Sequence, residues 1–139
     1  MKKYDAIIIG FGKGGKTLAG ALGAAGKQVA VIEQSEKMYG GTCINVGCIP
    51  SKSLMTSARQ SAMAGGDFSQ KSARYRAAVV EKNRLTAMLR DKNYHKLADH
   101  PNITVLHGQA SFAGPKAVEV KMPEESLNLE AEQIFINTG

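Results

Sequence analysis

Cys43 and Cys48 are the only two cysteines of the chain, and four residues separate them within the stretch GGTCINVGCIPSK, residues 40–52. In a reducing cytosol so close a pair suits thiol–disulfide exchange or metal binding better than a structural cross-link. Zinc would need two further ligands at suitable spacing, and His95, His100 and His107 lie in a distant segment without a paired pattern, so no metal site is expected. In one regular helix the two cysteines would stand ~7.5 Å apart along the axis and on different faces, beyond the ~4.4–6.8 Å usual between disulfide Cα atoms. If they bond, the helix must be distorted there. Gly47 supplies the backbone freedom, and Pro50, which has no N–H, belongs in a first helical turn. A thiolate at such a helix start gains from the helix dipole, which lowers its pKa and favours redox exchange.

A second group is built on glycine. Gly10, Gly12 and Gly15 spell Gly-x-Gly-x-x-Gly directly after an apolar run and before a helical pattern. One glycine allows the tight turn, one lets a pyrophosphate approach the backbone, and one lets helix and strand pack, with the phosphates at the helix N-terminus. Glu33, at the end of the next apolar run, stands where a carboxylate accepts hydrogen bonds from a ribose hydroxyl. The same residues also read as a phosphate loop of nucleoside triphosphatases, Gly10 and then Gly15-Lys16-Thr17. Such enzymes need a later strand ending in an aspartate for magnesium, and the apolar runs here end at Leu106-His107 and Ile136-Asn137. The dinucleotide reading is therefore favoured, with Lys16 a surface lysine and Thr17 an ordinary helix residue.

These residues need elements to hold them. Residues 4–9 gather β-branched apolar residues at Ile7, Ile8 and Ile9 without polar alternation, as in a buried parallel strand; 17–25 read as a helix rich in alanine and glycine, and 28–32 as a second strand. Together, residues 4–33 make a βαβ unit. Residues 40–64 carry the cysteines and then turn helical, and Gly65-Gly66 separates them from a basic helical stretch that Pro101 closes. Short strands follow at 103–106, 117–121, 127–129 and 133–136, the pattern of a small antiparallel meander with strands on either side. The expected class is α/β, a Rossmann-like parallel sheet with helices and that meander near the C-terminus.

The chain has 139 residues, 43% hydrophobic and 22% charged, which suits one modest domain and argues against disorder or a coiled coil. Its net charge of +6 equals the excess between Lys71 and Lys96, where eight basic residues face only Glu81 and Asp91. Ala78, Val79, Leu85, Met88 and Leu89 recur there at helical spacing, so the charge reads as the solvated face of an amphipathic helix rather than a nucleic-acid site. The apolar run near the start breaks at Gly10 with no cleavage site after it, so neither a signal peptide nor a membrane span is expected, and the expected location is the cytoplasm.

Residues 40–52 resemble the redox-active signature of the flavin-dependent pyridine nucleotide-disulfide oxidoreductases, the group of dihydrolipoamide dehydrogenase, glutathione reductase and mercuric reductase. The flanking motifs agree in order: the glycine turn, Glu33, Gly108-Gln109-Ala110, and Asn137-Thr138-Gly139 where that family commonly has Ala-Thr-Gly. FGKGGKTLA, IEQSEKMYGGTC and IFINTG are further similar to its bacterial branch that resists reactive chlorine species and reduces hypothiocyanous acid.

The resemblance implies FAD with its pyrophosphate on Gly10, Gly12 and Gly15, its ribose on Glu33, its adenine near Ala110, and Gly41, Thr42, Thr138 and Gly139 in contact with the cofactor. Lys52 would sit near the flavin. Hydride would come from NADH or NADPH; Cys48 would be the charge-transfer thiolate against the flavin and Cys43 the interchange thiol that attacks a small oxidised substrate. It also implies a homodimer, and that residues 1–139 are the N-terminal part of an FAD-binding domain, with the nicotinamide-binding and dimerisation domains absent. The three histidines match no acid/base motif of the family. Two other readings stand beside it: a stand-alone flavin-binding, redox-sensing module, and the triphosphatase built on Lys16 and Thr17.

Overall fold

The computed structural model describes residues Met1–Gly139. Strand β1 (Lys2–Ile9) leads through the glycine turn into helix α1 (Lys13–Ala24) and back to β2 (Val29–Glu33). A 3₁₀ turn (Glu36–Met38), a short helix α2 (Thr42–Asn45) and helices α3 (Cys48–Ala64) and α4 (Phe68–Ala98) follow. The chain then runs through β3 (Ile103–His107), β4 (Gln109–Gly114), β5 (Ala117–Lys121) and β6 (Ser126–Ile136).

All strands join one six-stranded sheet, ordered β3-β2-β1-β6-β5-β4. The pairs β1–β2, β1–β6 and β2–β3 are parallel, and β4–β5 and β5–β6 antiparallel. Continuous β-branched runs fit the middle of this sheet because both faces are covered: Ile7, Ile8, Val29 and Val31 are fully buried. On one face Ala6, Ile8, Val29 and Val31 pack with Phe11, Ala19 of α1 and Leu97 of α4. On the other, Ile7, Ala30 and Ile32 pack with Val118 and Val120 of β5 and Leu129 and Ala131 of β6. The meander thus covers the face opposite the helices.

Helix α1 begins at Lys13, four residues before the expected start, because the turn is over by Gly12, whose extended backbone (φ −79°, ψ 177°) caps the helix. Gly15, Ala19 and Gly23 are its buried residues, one turn apart, so small groups form the closest contact with the sheet, flanked by the half-buried Leu18 and Leu22. A Cβ on Gly23 would stand 2.9 Å from the Ile103 side chain. That contact is why glycine, which costs about 1 kcal/mol relative to alanine in a helix interior, is accepted at position 23; Gly20 meets nothing within 4 Å and has no such reason. α4 is framed by an Asp67–Gln70 capping box at its start and by basic His95 and Lys96 in its last turn. Its apolar face is narrower than expected: Ala78 and Leu97 are buried, whereas Met88 remains exposed.

Two strand expectations are corrected. Residues 109–114 form β4, which small and exposed residues such as Ala110 and Ser111 disguise as a loop. Segments 127–129 and 133–136 are not separate strands but parts of β6, because Leu127, Leu129 and Ala131 alternate inward while Asn128 and Glu132 point outward. Through the middle of that strand the pairing passes from β5 to β1. Since Leu129 is fully buried at the handover, Leu129→Ala is expected to cost about 2–5 kcal/mol in a urea melt. A loss well under 1 kcal/mol would mean that no continuous strand crosses this point.

Candidate functional site

The parallel strands place their C-terminal ends side by side, Ile9 opposite both Ile32 and Ile136, and the chain opens there into a cleft of about 580 Å³. Of the sequence-derived candidates, Gly10, Gly12, Glu33, Gly41, Thr42, Cys43, Ala110, Thr138 and Gly139 all line it. Gly15 lies buried beneath the turn, where a Cβ would stand 2.8 Å from the Gly10 carbonyl oxygen and 2.6 Å from the Asn137 amide. Cys48 and Lys52 lie outside the cleft lining, both exposed on the first turn of α3.

The glycine turn is shaped by close approaches. Gly10 has φ +106°, and a Cβ there would stand 2.1 Å from the Asn137 carbonyl oxygen. Gly41 has φ +88°, and a Cβ there would meet the Gly12 Cα at 2.7 Å, so the cysteine segment lies directly against the turn. Helix α1 has no side-chain cap, which leaves its N-terminus open to an anion. Between the turn's glycines Phe11 is fully buried and meets the Tyr39 ring edge-on at 5.3 Å, and Tyr39 in turn meets Tyr94 of α4 at 4.7 Å. Burial, with Tyr94, Glu36 and Glu33 nearby, pushes the Tyr39 hydroxyl up to about 12.

Glu33 serves the backbone on both sides. One carboxylate oxygen accepts from the Phe11 N–H at 3.0 Å and the other from the Ser35 N–H at 3.0 Å, while its carbonyl accepts from the Gly108 N–H. Each carboxylate oxygen keeps a lone pair for a ligand hydroxyl.

Lys16 and Thr17 do not make a phosphate site. The Lys16 ammonium donates to Asn93 Oδ1 at 2.7 Å and to the Gly40 carbonyl at 3.3 Å, and the Thr17 hydroxyl donates to the Lys13 carbonyl at 2.7 Å. Neither lines the cleft. Lys16 is accordingly not a surface lysine; it is half-buried, and burial, helped by Lys13 and Lys96, lowers its pKa. Arg90 of α4 donates to Asn45 Oδ1 at 2.8 Å, and the Asn45 amide donates to the carbonyls of Tyr39 and Gly41. Through these contacts α4 holds the segment that carries Cys43. Other basic residues of α4 are likewise engaged inside the chain, Arg74 on the Ser61 and Gly65 carbonyls and Arg84 on Glu81.

The expected distortion between the cysteines is a full break. Cys43 lies on the four-residue α2, Val46 and Gly47 bond back to the Thr42 carbonyl, and Cys48 begins α3. A Cβ on Gly47 would come within 3.1 Å of that carbonyl, so a larger residue would have to push the fold-back open by a few tenths of an ångström. Both cysteines are free thiols in this structure, Cys43 half-buried and Cys48 exposed. Cys43 precedes the helix start marked by Gly47 and Pro50, and its pKa is raised. A hydrogen bond with the Cys48 thiol, then desolvation and the charge of Cys48, hold it above the ordinary thiol value against the opposing pull of the Cys48 N–H and Lys13. A helix of only four residues has little dipole to set against these effects.

Lys13, Gln34, Ser35, Met38 and Asn137 also line the cleft. Lys13 and the 34–35 pair follow directly on the glycine turn and Glu33, a positional signal; Asn45, Arg90 and Asn93 act from outside the lining and carry none.

Residues 4–139 match the family described as pyridine nucleotide-disulphide oxidoreductase. The chain is 52% identical over its whole length to the probable pyridine nucleotide-disulfide oxidoreductase RclA of Escherichia coli, of which it covers 29%. It is 34% identical to mercuric reductase from Streptomyces lividans and to dihydrolipoyl dehydrogenase from Chlamydia muridarum, covering 98% of this chain and 30% of each relative. Among solved structures, the Cu(II) complex of the HOCl-induced flavoprotein disulfide reductase RclA from E. coli superposes over the whole chain and 29% of that protein, with a TM-score of 0.87. The chain thus spans less than a third of the length of these relatives.

Cys48→Ala removes the group that holds the Cys43 proton. The pH midpoint for alkylation of Cys43 by iodoacetamide is expected to fall in that variant relative to the reduced wild type. An unchanged or higher midpoint would mean that the two thiols do not interact.

Proposed function

Because this chain belongs to the pyridine nucleotide-disulphide oxidoreductase family, we propose that it is the flavin-binding, redox-disulfide portion of an FAD-dependent reductase that draws electrons from NADH or NADPH. Residues 1–139 are then the N-terminal part of an FAD-binding domain, with the fingerprint at 4–33 and the redox segment at 40–64. The nicotinamide-binding and dimerisation domains belong to the rest of a longer, homodimeric protein.

One observation carries this reading: a single cleft collects the bare turn at Gly10 and Gly12, the Glu33 carboxylate, Ala110 and the Thr42–Cys43 step. The close backbone approaches at Gly10, Gly15 and Gly41 leave amides without side chains at the helix N-terminus, which suits a pyrophosphate. Lys13 adds a positive charge beside it. Glu33 has acceptor capacity left for a ribose, and Ala110 is small enough for a flat base. Thr138 and Gly139 close the rim, and Lys52, on the first turn of α3, lies near the redox end.

Bound FAD supplies two-electron exchange between a nicotinamide hydride and a disulfide. On the protein side, two electrons and two protons convert the Cys43–Cys48 disulfide to a dithiol. Cys43, once ionised, attacks an oxidised small molecule and forms a mixed adduct; the Cys48 thiolate then attacks the Cys43 sulfur, restores the disulfide and expels the reduced product. Cys48 takes the charge-transfer role toward the flavin in this reading, although in the present arrangement of the thiols Cys43 is the one that lines the cleft. The RclA relative is described as HOCl-induced, which supports, for the substrate of this chain, an oxidised product of reactive chlorine such as hypothiocyanous acid. No helix is long and apolar enough to cross a membrane; the location proposed for the reaction is the cytoplasm.

The test is an absorption spectrum of the chain with added FAD, before and after two-electron reduction. Flavin binding with a long-wavelength band that vanishes in Cys48→Ser is the expected result. Glu33→Ala is expected to weaken FAD by about 1.5–3 kcal/mol, roughly 10- to 150-fold. Failure to bind flavin, both here and in the longer protein, would overturn the assignment. Flavin binding without that band would favour a redox-sensing module instead.

A further inference from the structure

The peptide unit joining Gly10 to Phe11 is held at both of its polar ends by side chains from different strands. Its N–H donates to Glu33 Oε2 at 3.0 Å, from the end of β2, and its carbonyl accepts from Asn137 Nδ2 at 3.1 Å, from just beyond β6. The backbone reinforces the second tie, since the Asn137 N–H donates to the Ile9 carbonyl at 2.7 Å. The carboxamide is set inside the turn: the position of a Cβ on Gly12 is 3.2 Å from Asn137 Nδ2, and that of a Cβ on Gly14 is 3.0 Å from Oδ1. Alanine, which the related motif commonly carries at this place, has no donor for the Gly10 carbonyl and would leave the peptide fixed from one end only.

We propose that Asn137 is a positioning residue for the cofactor: its carboxamide, acting with Glu33, locks the Gly10–Phe11 peptide so that the turn presents its amides to a pyrophosphate before any ligand arrives. The inference rests on the flavin reading above. It differs from the role of a contact residue, because the effect of Asn137 passes through the backbone of the turn. A peptide with Gly10 at φ +106° has alternatives of similar energy open to it, glycine being free on both sides of the map. Holding both its donor and its acceptor removes those alternatives, and the ordering cost no longer falls on binding.

The experiment compares the wild-type chain with Asn137→Ala and with the near-isosteric Asn137→Asp, by FAD titration and by amide hydrogen exchange in the ligand-free chains. In Asn137→Ala the dissociation constant for FAD is expected to rise roughly 3- to 10-fold, the value of one hydrogen bond. Exchange at the Phe11 amide should accelerate, with Ile7 and Ile8 in the strand unchanged. In Asn137→Asp the carboxylate fills the same space but cannot donate, so at neutral pH affinity should fall at least as far. Its ratio to wild type should recover as the pH is lowered toward the carboxyl range, where the protonated group donates again. Lys13 and Glu33 are the charged side chains on the same cleft; a carboxylate at position 137 couples to both, so the pH ratio is read together with exchange at Phe11 in the ligand-free chains.

An Asn137→Asp chain that matches wild type in affinity and in Phe11 exchange would show that the side chain only fills space, and would overturn the proposal. So would an Asn137→Ala chain with unchanged exchange at Phe11. If the wild-type chain fails to bind FAD, the titration moves to the longer protein, where a second failure strikes the flavin reading, and exchange at Phe11 alone decides whether the lock exists.

Discussion

Parallel pairing of β1 with both β2 and β6 is the constraint on which the rest of the structure depends. Parallel strands deliver their C-terminal ends to one edge, so Gly10, Glu33 and Asn137 arrive together although they come from the two extremes of the chain. At that edge the ladder hydrogen bonds run out, and the last backbone groups are taken up by the next elements: the Gly10 N–H by the Ile32 carbonyl, the Asn137 N–H by the Ile9 carbonyl, and the Gly108 N–H by the Glu33 carbonyl. The cleft is thus a place where three strands stop and their chains diverge.

The cysteine segment has no place in the sheet and is held from outside it. α2 is too short to be stable by itself. It is fixed at its start by Gly41 against Gly12, within it by Asn45 on the Tyr39 and Gly41 carbonyls, and from behind by Arg90. Lys16 ties α1 to Gly40 and Asn93 across the same gap. The exposed basic face of α4 therefore hides a second role, since Arg90 is a brace for the redox segment. A charged donor on a half-buried amide oxygen is among the stronger hydrogen bonds available to such a brace.

Legibility in the sequence followed how local each physical signal was. The βαβ unit, the break at Gly47 and the placement of Glu33 were readable because glycine spacing and β-branched runs report directly on backbone geometry. The start of α1 was misplaced because its first residues are glycine and lysine, with no capping side chain to mark a boundary. β4 was hidden by its small, exposed residues, and β6 was split because Glu130 and Glu132 interrupt its apolar pattern, although they only mark its outward face. The state of Lys16 and the direction of the Cys43 shift were not legible at all. Both depend on neighbours brought in by folding, Asn93 from a distant helix for one and a thiol across a chain reversal for the other.

The strand that completes the cleft, β6, follows β1 by more than a hundred residues yet lies beside it in the sheet. During synthesis β1, α1 and β2 emerge early, but the partner of β1 on its other side and the amide that ties down the Gly10 carbonyl emerge only after more than a hundred further residues. Closing so long a loop is slow compared with forming the helices between its ends. On the ribosome, Ile7 therefore lacks its β6 neighbours until the meander is released, and the nascent chain carries a half-covered apolar strand throughout that interval. The cofactor turn can be set only when β6 docks, so the ligand site forms after the helices between β1 and β6 and not with the first βαβ unit.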